Sequence, residues 1–210
     1  MEAVINEIIA LEWEMFQLVN EGGPRADCQE EYDTFYDMRF GQFSEWSESA
    51  RCAYLEDLRS AKDAGRNLIE EKYIWMMIEG KPEMFLELSS RVVLPTERAK
   101  ELADAICDTL MKQTALLHVS YPFVATSGRP LYSTNGNEGV VSVQTYQYSE
   151  LLTYSEATLE ALYEHITQLA QRGISLAELI LTNSVRHYGY RTLESAEAAL
   201  ESAEAALDGR

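Results

Sequence analysis

The strongest constraint on this chain is that it carries one helical pattern twice. Trp46-Ser47-Glu48 opens a run whose spacing recurs at Tyr154-Ser155-Glu156, 108 residues further on. Set side by side without a gap, residues 47–76 and 155–184 share seven identities in thirty: Ser47/Ser155, Glu48/Glu156, Ala53/Ala161, Glu56/Glu164, Gly65/Gly173, Leu68/Leu176 and Glu70/Glu178. Apolar positions coincide as well, Tyr54 with Leu162, Leu58 with Ile166, Ala61 with Leu169 and Tyr73 with Leu181, so both runs bury the same face. This predicts a degenerate duplication. The expected fold is a single compact all-α domain, residues 1–210, built from two pseudo-symmetric copies of a roughly four-helix unit at 1–80 and 96–190, with an Ala/Glu-rich helical tail at 191–210.

Within each copy, periodicity and caps set the helices. Ile5, Ile8, Ile9, Phe16 and Val19 form one stripe over 3–19, stopped by Gly22-Gly23-Pro24. A second helix over about 31–44 carries Phe35, Met38 and Phe43. Ser47 caps a third that ends near Gly65, and Asn67 caps a fourth running to about Ile78. A linker spans Gly80 to Pro95, then Thr96 caps the first helix of the second copy, which continues to about Val119. Thr126–Gly139 reads as a long loop, with a short extended piece near Val140–Val143. Helices follow at about 144–152, 155–172 and 175–187. In the tail the heptad Glu-Ser-Ala-Glu-Ala-Ala-Leu is written twice, at 194–200 and 201–207. One Leu per heptad is too thin a seam for a coiled coil, which leaves a solvated helix or a surface for a partner.

Charge excludes some partners. Against 35 acidic side chains there are 17 basic ones, a net −18 that repels phosphate backbones and anionic membrane surfaces, so neither nucleic acid nor a membrane is expected. With no signal-like segment and three cysteines (Cys28, Cys52, Cys107) lacking ligand spacing, a cytoplasmic protein with reduced thiols is expected. His118, His165 and His187 are scattered, so no metal and no cofactor is implied, and no catalytic triad can be assembled.

The informative residues are charges on inward faces. At about 100° per residue, Glu12 falls in the middle of the first helix's apolar stripe while Glu14 points away. Arg39 and Gln42 lie on the face that Phe35, Phe43 and Trp46 continue, and Lys72 shares a stripe with Leu68, Ile69, Trp75 and Met76. Buried charges are costly unless paired, so these groups either meet one another, as a Glu12–Arg39 pair that fixes helix register, or meet a ligand. Under the 108-residue shift Arg39 becomes Gln147, Gln42 becomes Glu150, Trp46 becomes Tyr154 and Lys72 becomes Ile180; a shift of 104 or 105 sets Glu12 on Leu116 or Leu117. The second copy has thus mostly lost the inward charges, which favours a single asymmetric site in the first. Arg25 and Arg129, after glycines in corresponding loops, could bind a carboxylate, phosphate or sulfate, or serve as helix caps. Of the aromatics, Trp13, Trp46, Tyr54, Tyr73 and Trp75 fit core or pocket.

The string Leu11-Glu12-Trp13-Glu14-Met15-Phe16, with Arg25-Ala26, Met38-Arg39, Gln42, Trp46, Gly65-Arg66-Asn67-Leu68, Glu71-Lys72-Tyr73, Gly128-Arg129-Pro130, Glu150-Leu151-Leu152-Thr153-Tyr154-Ser155 and Tyr188-Gly189-Tyr190, resembles the bacterial domain of unknown function family 4125. Pro24, inserted before Arg25, departs from that pattern. A second similarity is to the aziridine-forming proteins of azinomycin-type pathways, which work as two-protein complexes. That resemblance implies a cofactor-independent enzyme of specialised metabolism, in which a substrate amine displaces a sulfate ester and closes a three-membered ring. Glu12, Arg39 and Lys72 would be catalytic; Arg25, Gln42, Trp46, Tyr54 and Tyr73 would bind a small anionic substrate, free or carried on a protein. The alternative is a non-catalytic binding or scaffold subunit of a heteromeric complex, its inward charges structural.

Overall fold

Chain order in the computed structural model, which describes residues 1–19, 27–133 and 140–208, is α1 (Glu2–Leu18), α2 (Tyr32–Ser44), α3 (Glu48–Asp63), α4 (Leu68–Gly80), α5 (Pro82–Leu88), α6 (Glu97–Ser120), α7 (Pro122–Thr126), α8 (Val143–Leu151), α9 (Glu156–Gln171), α10 (Leu176–His187) and α11 (Leu193–Asp208). The described residues are all-helical, with no strand among them. Short polar side chains start these helices. Ser47 accepts from the Ala50 N–H and Ser155 from that of Thr158; Asn67 and Ser175 do the same for α4 and α10, and Thr96 for α6. Each cap satisfies one orphan donor of the first turn and contributes about 1 kcal/mol. Helices α3 and α9 also end alike. Gly65 (φ 68°) and Gly173 (φ 71°) take the left-handed conformation, and the next N–H, of Arg66 or Ile174, returns to the carbonyl of Ala61 or Leu169. That closure needs a residue without a Cβ penalty at positive φ.

The helices α3 and α9 lie against each other at the centre. On one side α1 packs on α2, α3 and α4; on the other α6 packs on α8, α9 and α10, and the sides are tied by α2 against α10 and α4 against α8. The main core runs through Ile5, Ile9, Phe43, Leu58, Ile106, Leu159 and Leu162, and a smaller one, Leu117, Val124, Val185, Leu193 and Ala196, lies where α7, α10 and α11 meet.

Four local expectations need correction. The linker at 80–95 contains α5 and a 3-10 turn at Ser89–Arg91, because Pro82 at the first helical position loses no hydrogen bond and Phe85 closes on Trp75 with ring centroids 5.5 Å apart. The extended piece shrinks to a cap, since no strand forms at 140–142 and Ser142, extended at φ −71° and ψ 164°, caps α8 through the Thr145 N–H, leaving Val143 helical. Met38 is 40% exposed, on the outer edge of α2. The tail is not wholly solvated. Its first heptad docks on the chain itself, with Leu193 and Ala196 buried and both Glu197 carboxylate oxygens accepting from the Phe123 and Val124 N–H groups that open α7. The second heptad, identical in sequence, is exposed throughout.

Candidate functional site: a closed ionic network beside an open cavity

Three helices bring the inward charges together. Glu12 of α1 is fully buried and holds Arg39 of α2 through two parallel hydrogen bonds, Nε to Oε2 at 2.6 Å and Nη2 to Oε1, while the Tyr54 hydroxyl of α3 donates to Oε1 at 2.7 Å. Arg39 also donates to Gln42 Oε1 at 2.9 Å, and its guanidinium lies 4.7 Å from the centre of the Phe43 ring. The network then crosses to the other side of the molecule. Arg39 Nη2 donates to Glu150 Oε1 of α8 at 2.9 Å, Tyr154 donates to the same oxygen at 2.8 Å, and Lys72 of α4 reaches Tyr146 at 2.8 Å and Glu150 Oε2 at 3.4 Å. Two carboxylates thus face two cations, all four buried.

The electrostatics follow from that balance. Burial raises the Glu150 carboxyl, yet Arg39 and Lys72 outweigh it and hold the group well below the usual carboxylate range. Burial lowers the Lys72 ammonium, and Glu150 and Tyr146 reverse the sign and raise it. Arg39 follows the same logic through Glu12 and Glu150. Burial and the neighbouring carboxylates push the hydroxyls of Tyr54 and Tyr154 well up. Arg39, Lys72 and Glu150 are therefore held charged, and Tyr54 and Tyr154 neutral, around neutrality.

Beside this network lies a cavity of about 280 Å³. Its floor is polar, formed by Gln42, Tyr146, Gln147, Glu150 and Tyr154. Apolar walls come from Leu110 and Leu117 of α6, Leu162 of α9, and Leu176 and Ile180 of α10, and Trp46 closes one side. Gln147 stands out because its amide oxygen is buried without a hydrogen-bond partner.

The structure thus unites Glu12, Arg39, Lys72, Gln42 and Tyr54 in one network. Trp46 lies against Tyr54 and Tyr154, with ring centroids 5.9 and 6.0 Å away, and Tyr73 is half-buried with its ring 5.7 Å from Lys72 Nζ. Arg25 lies outside the described residues. Arg129 is exposed and stacks on Tyr146 at 5.0 Å. Sequence reasoning missed Glu150, Tyr146, Tyr154 and Gln147. The available signal was Glu150 itself, an acid four residues before Tyr154 at the position matching Gln42. It also missed Arg51, buried with no carboxylate partner among the described residues and donating to the Phe43 and Trp46 carbonyls, where the C-terminal end of α2 supplies the partial negative charge.

No curated protein and no solved structure matches the chain. A family model matches residues 2–198, ending inside the first tail heptad, and the chain belongs to that family, described as protein of unknown function (DUF4125).

Proposed function

We propose that the protein binds a small, largely apolar metabolite in the cavity between α6, α8, α9 and α10, and that the ionic network is the scaffold beneath it. One correspondence carries this reading. Moved forward 108 residues, Arg39, Gln42, Trp46, Tyr54 and Lys72 fall on Gln147, Glu150, Tyr154, Leu162 and Ile180, and all five line the cavity. Glu12 moved forward 105 falls on Leu117, which lines it too. As a degenerate duplication, the chain fills one inter-helix space with charges and phenols and leaves the matching space hollow. The helix contacts support it, since α1 touches α2, α3 and α4 as α6 touches α8, α9 and α10. The proposal moves the ligand to the second copy, away from the first, where the inward charges suggested it.

Chemistry in such a site rests on orientation and fixed dipoles. Glu150 is held ionised and Lys72 protonated, so neither is tuned to exchange a proton near neutrality. Sulfate-displacing ring closure has weaker support, because Arg39 and Lys72, the cations that would receive the sulfate, already hold Glu12 and Glu150. A scaffold role in a heteromer rests on the exposed heptad at 201–207.

Calorimetry with methyl octanoate tests the cavity. The wild type should bind it, and Leu162→Trp, which puts an indole into the space, should abolish binding while keeping the fold. Unchanged binding by Leu162→Trp would put the ligand elsewhere.

A further inference from the structure

The chemistry of the cavity floor narrows the ligand class, on the assumption that the cavity is the binding site. Gln147 is the key. Its amide oxygen is buried and unpartnered, and its side chain makes no hydrogen bond to any described residue, although the residue faces a cavity whose walls are mostly apolar, the hydroxyls of Thr114 and Ser184 there donating to carbonyls of their own helices. A buried amide oxygen left this way is costly, and a donor supplied by the ligand removes the cost. One turn further along α8, on the same face, Glu150 Oε2 has only the 3.4 Å contact with Lys72, so it retains accepting capacity. Tyr146 accepts from Lys72 and keeps its own proton to donate.

Charge decides the rest. Glu12 and Glu150 are matched by Arg39 and Lys72, and Glu150 is the one charged residue among the described residues lining the cavity, so a charged head group would lose its water and find no unmatched counter-charge in that lining. We infer that the ligand carries a neutral head group that both donates and accepts hydrogen bonds, of the carboxamide or lactam class, at the end of an apolar body. The two N–H groups of a primary carboxamide meet Gln147 and Glu150, or the single N–H of a lactam meets Gln147, and the carbonyl accepts from Tyr146. The anionic substrate expected from sequence is replaced by a neutral one.

Four probes with the same chain separate the alternatives: octanamide, methyl octanoate, octanoate and octylammonium, titrated against the wild type and Gln147→Leu, with Gln147→Met as a second variant should the first misfold. Octanamide should bind the wild type at least tenfold more tightly than methyl octanoate, which cannot donate, and both variants should erase most of that preference while still binding the ester. Equal affinities for amide and ester, a preference that survives in the variants, or tighter binding of either ion overturns the head-group assignment and leaves the cavity standing. Failure of all four probes overturns the cavity reading along with it.

Discussion

The pairing of Glu12 with Arg39 shows how a residue's cost depends on what it meets. Removing one partner leaves a charge buried and unmatched, which typically destabilises by about 3 to 5 kcal/mol, whereas replacing both with apolar groups is often neutral. Glu12→Gln and Arg39→Met should therefore each lower the melting temperature strongly in thermal denaturation. The double variant Glu12→Leu/Arg39→Met should be much less destabilised than the sum of the single changes; strict additivity would mean that the pair does not act as a unit. Glu150 contributes to the acid sensitivity of the fold. Its folded pKa lies below the ordinary 4.5, so its contribution is complete above that value and declines as pH falls from there toward the folded pKa. Melting curves recorded between pH 6 and 2 should show Glu150→Gln already destabilised at pH 6 and with a shallower further fall below pH 4.5 than the wild type. Parallel curves would remove Glu150 from the acid transition.

At the scale of elements, the caps and stops were legible and the crossings were not. Ser47, Asn67 and Ser155 announce helix starts locally, and Gly65 and Gly173 announce ends, because their effect is spent within one turn. That Glu12, Arg39 and Lys72 are buried was equally readable, since each lies on an apolar stripe. What Arg39 meets was not, because Glu150 is 111 residues away and only the packing of α8 against α4 brings it near. The crossing of α2 and α10 was hidden for the same reason. Gly41 lies there, and a Cβ added to it would come within 3.1 Å of the Asn183 Cβ, while Asn183 Nδ2 donates to the Gly41 carbonyl at 3.0 Å. Gly41→Ala should gain helix propensity yet push these helices apart, for a net loss of about 1 to 2 kcal/mol in urea denaturation. A stabilised variant would show that the contact yields.

For the whole molecule, two inter-helix spaces are put to different uses. Between α1, α2, α3 and α4 the space is filled by Glu12, Arg39, Tyr54 and Lys72; between α6, α8, α9 and α10 the residues 105 or 108 places further on, Leu117, Gln147, Leu162 and Ile180, line a cavity of about 280 Å³. Sequence could show the loss of charge between positions 105 or 108 residues apart. It could not show that the loss leaves a void, because a void depends on the volumes of side chains arriving from four helices. The most direct measurement is a crystal structure of the protein soaked in octanamide. The account predicts the amide beside Gln147 and Glu150, with its chain against Leu117 and Leu162 and the Glu12–Arg39 pair intact. Density for the ligand beside Arg39 and Glu12, with that pair opened to receive it, would contradict it.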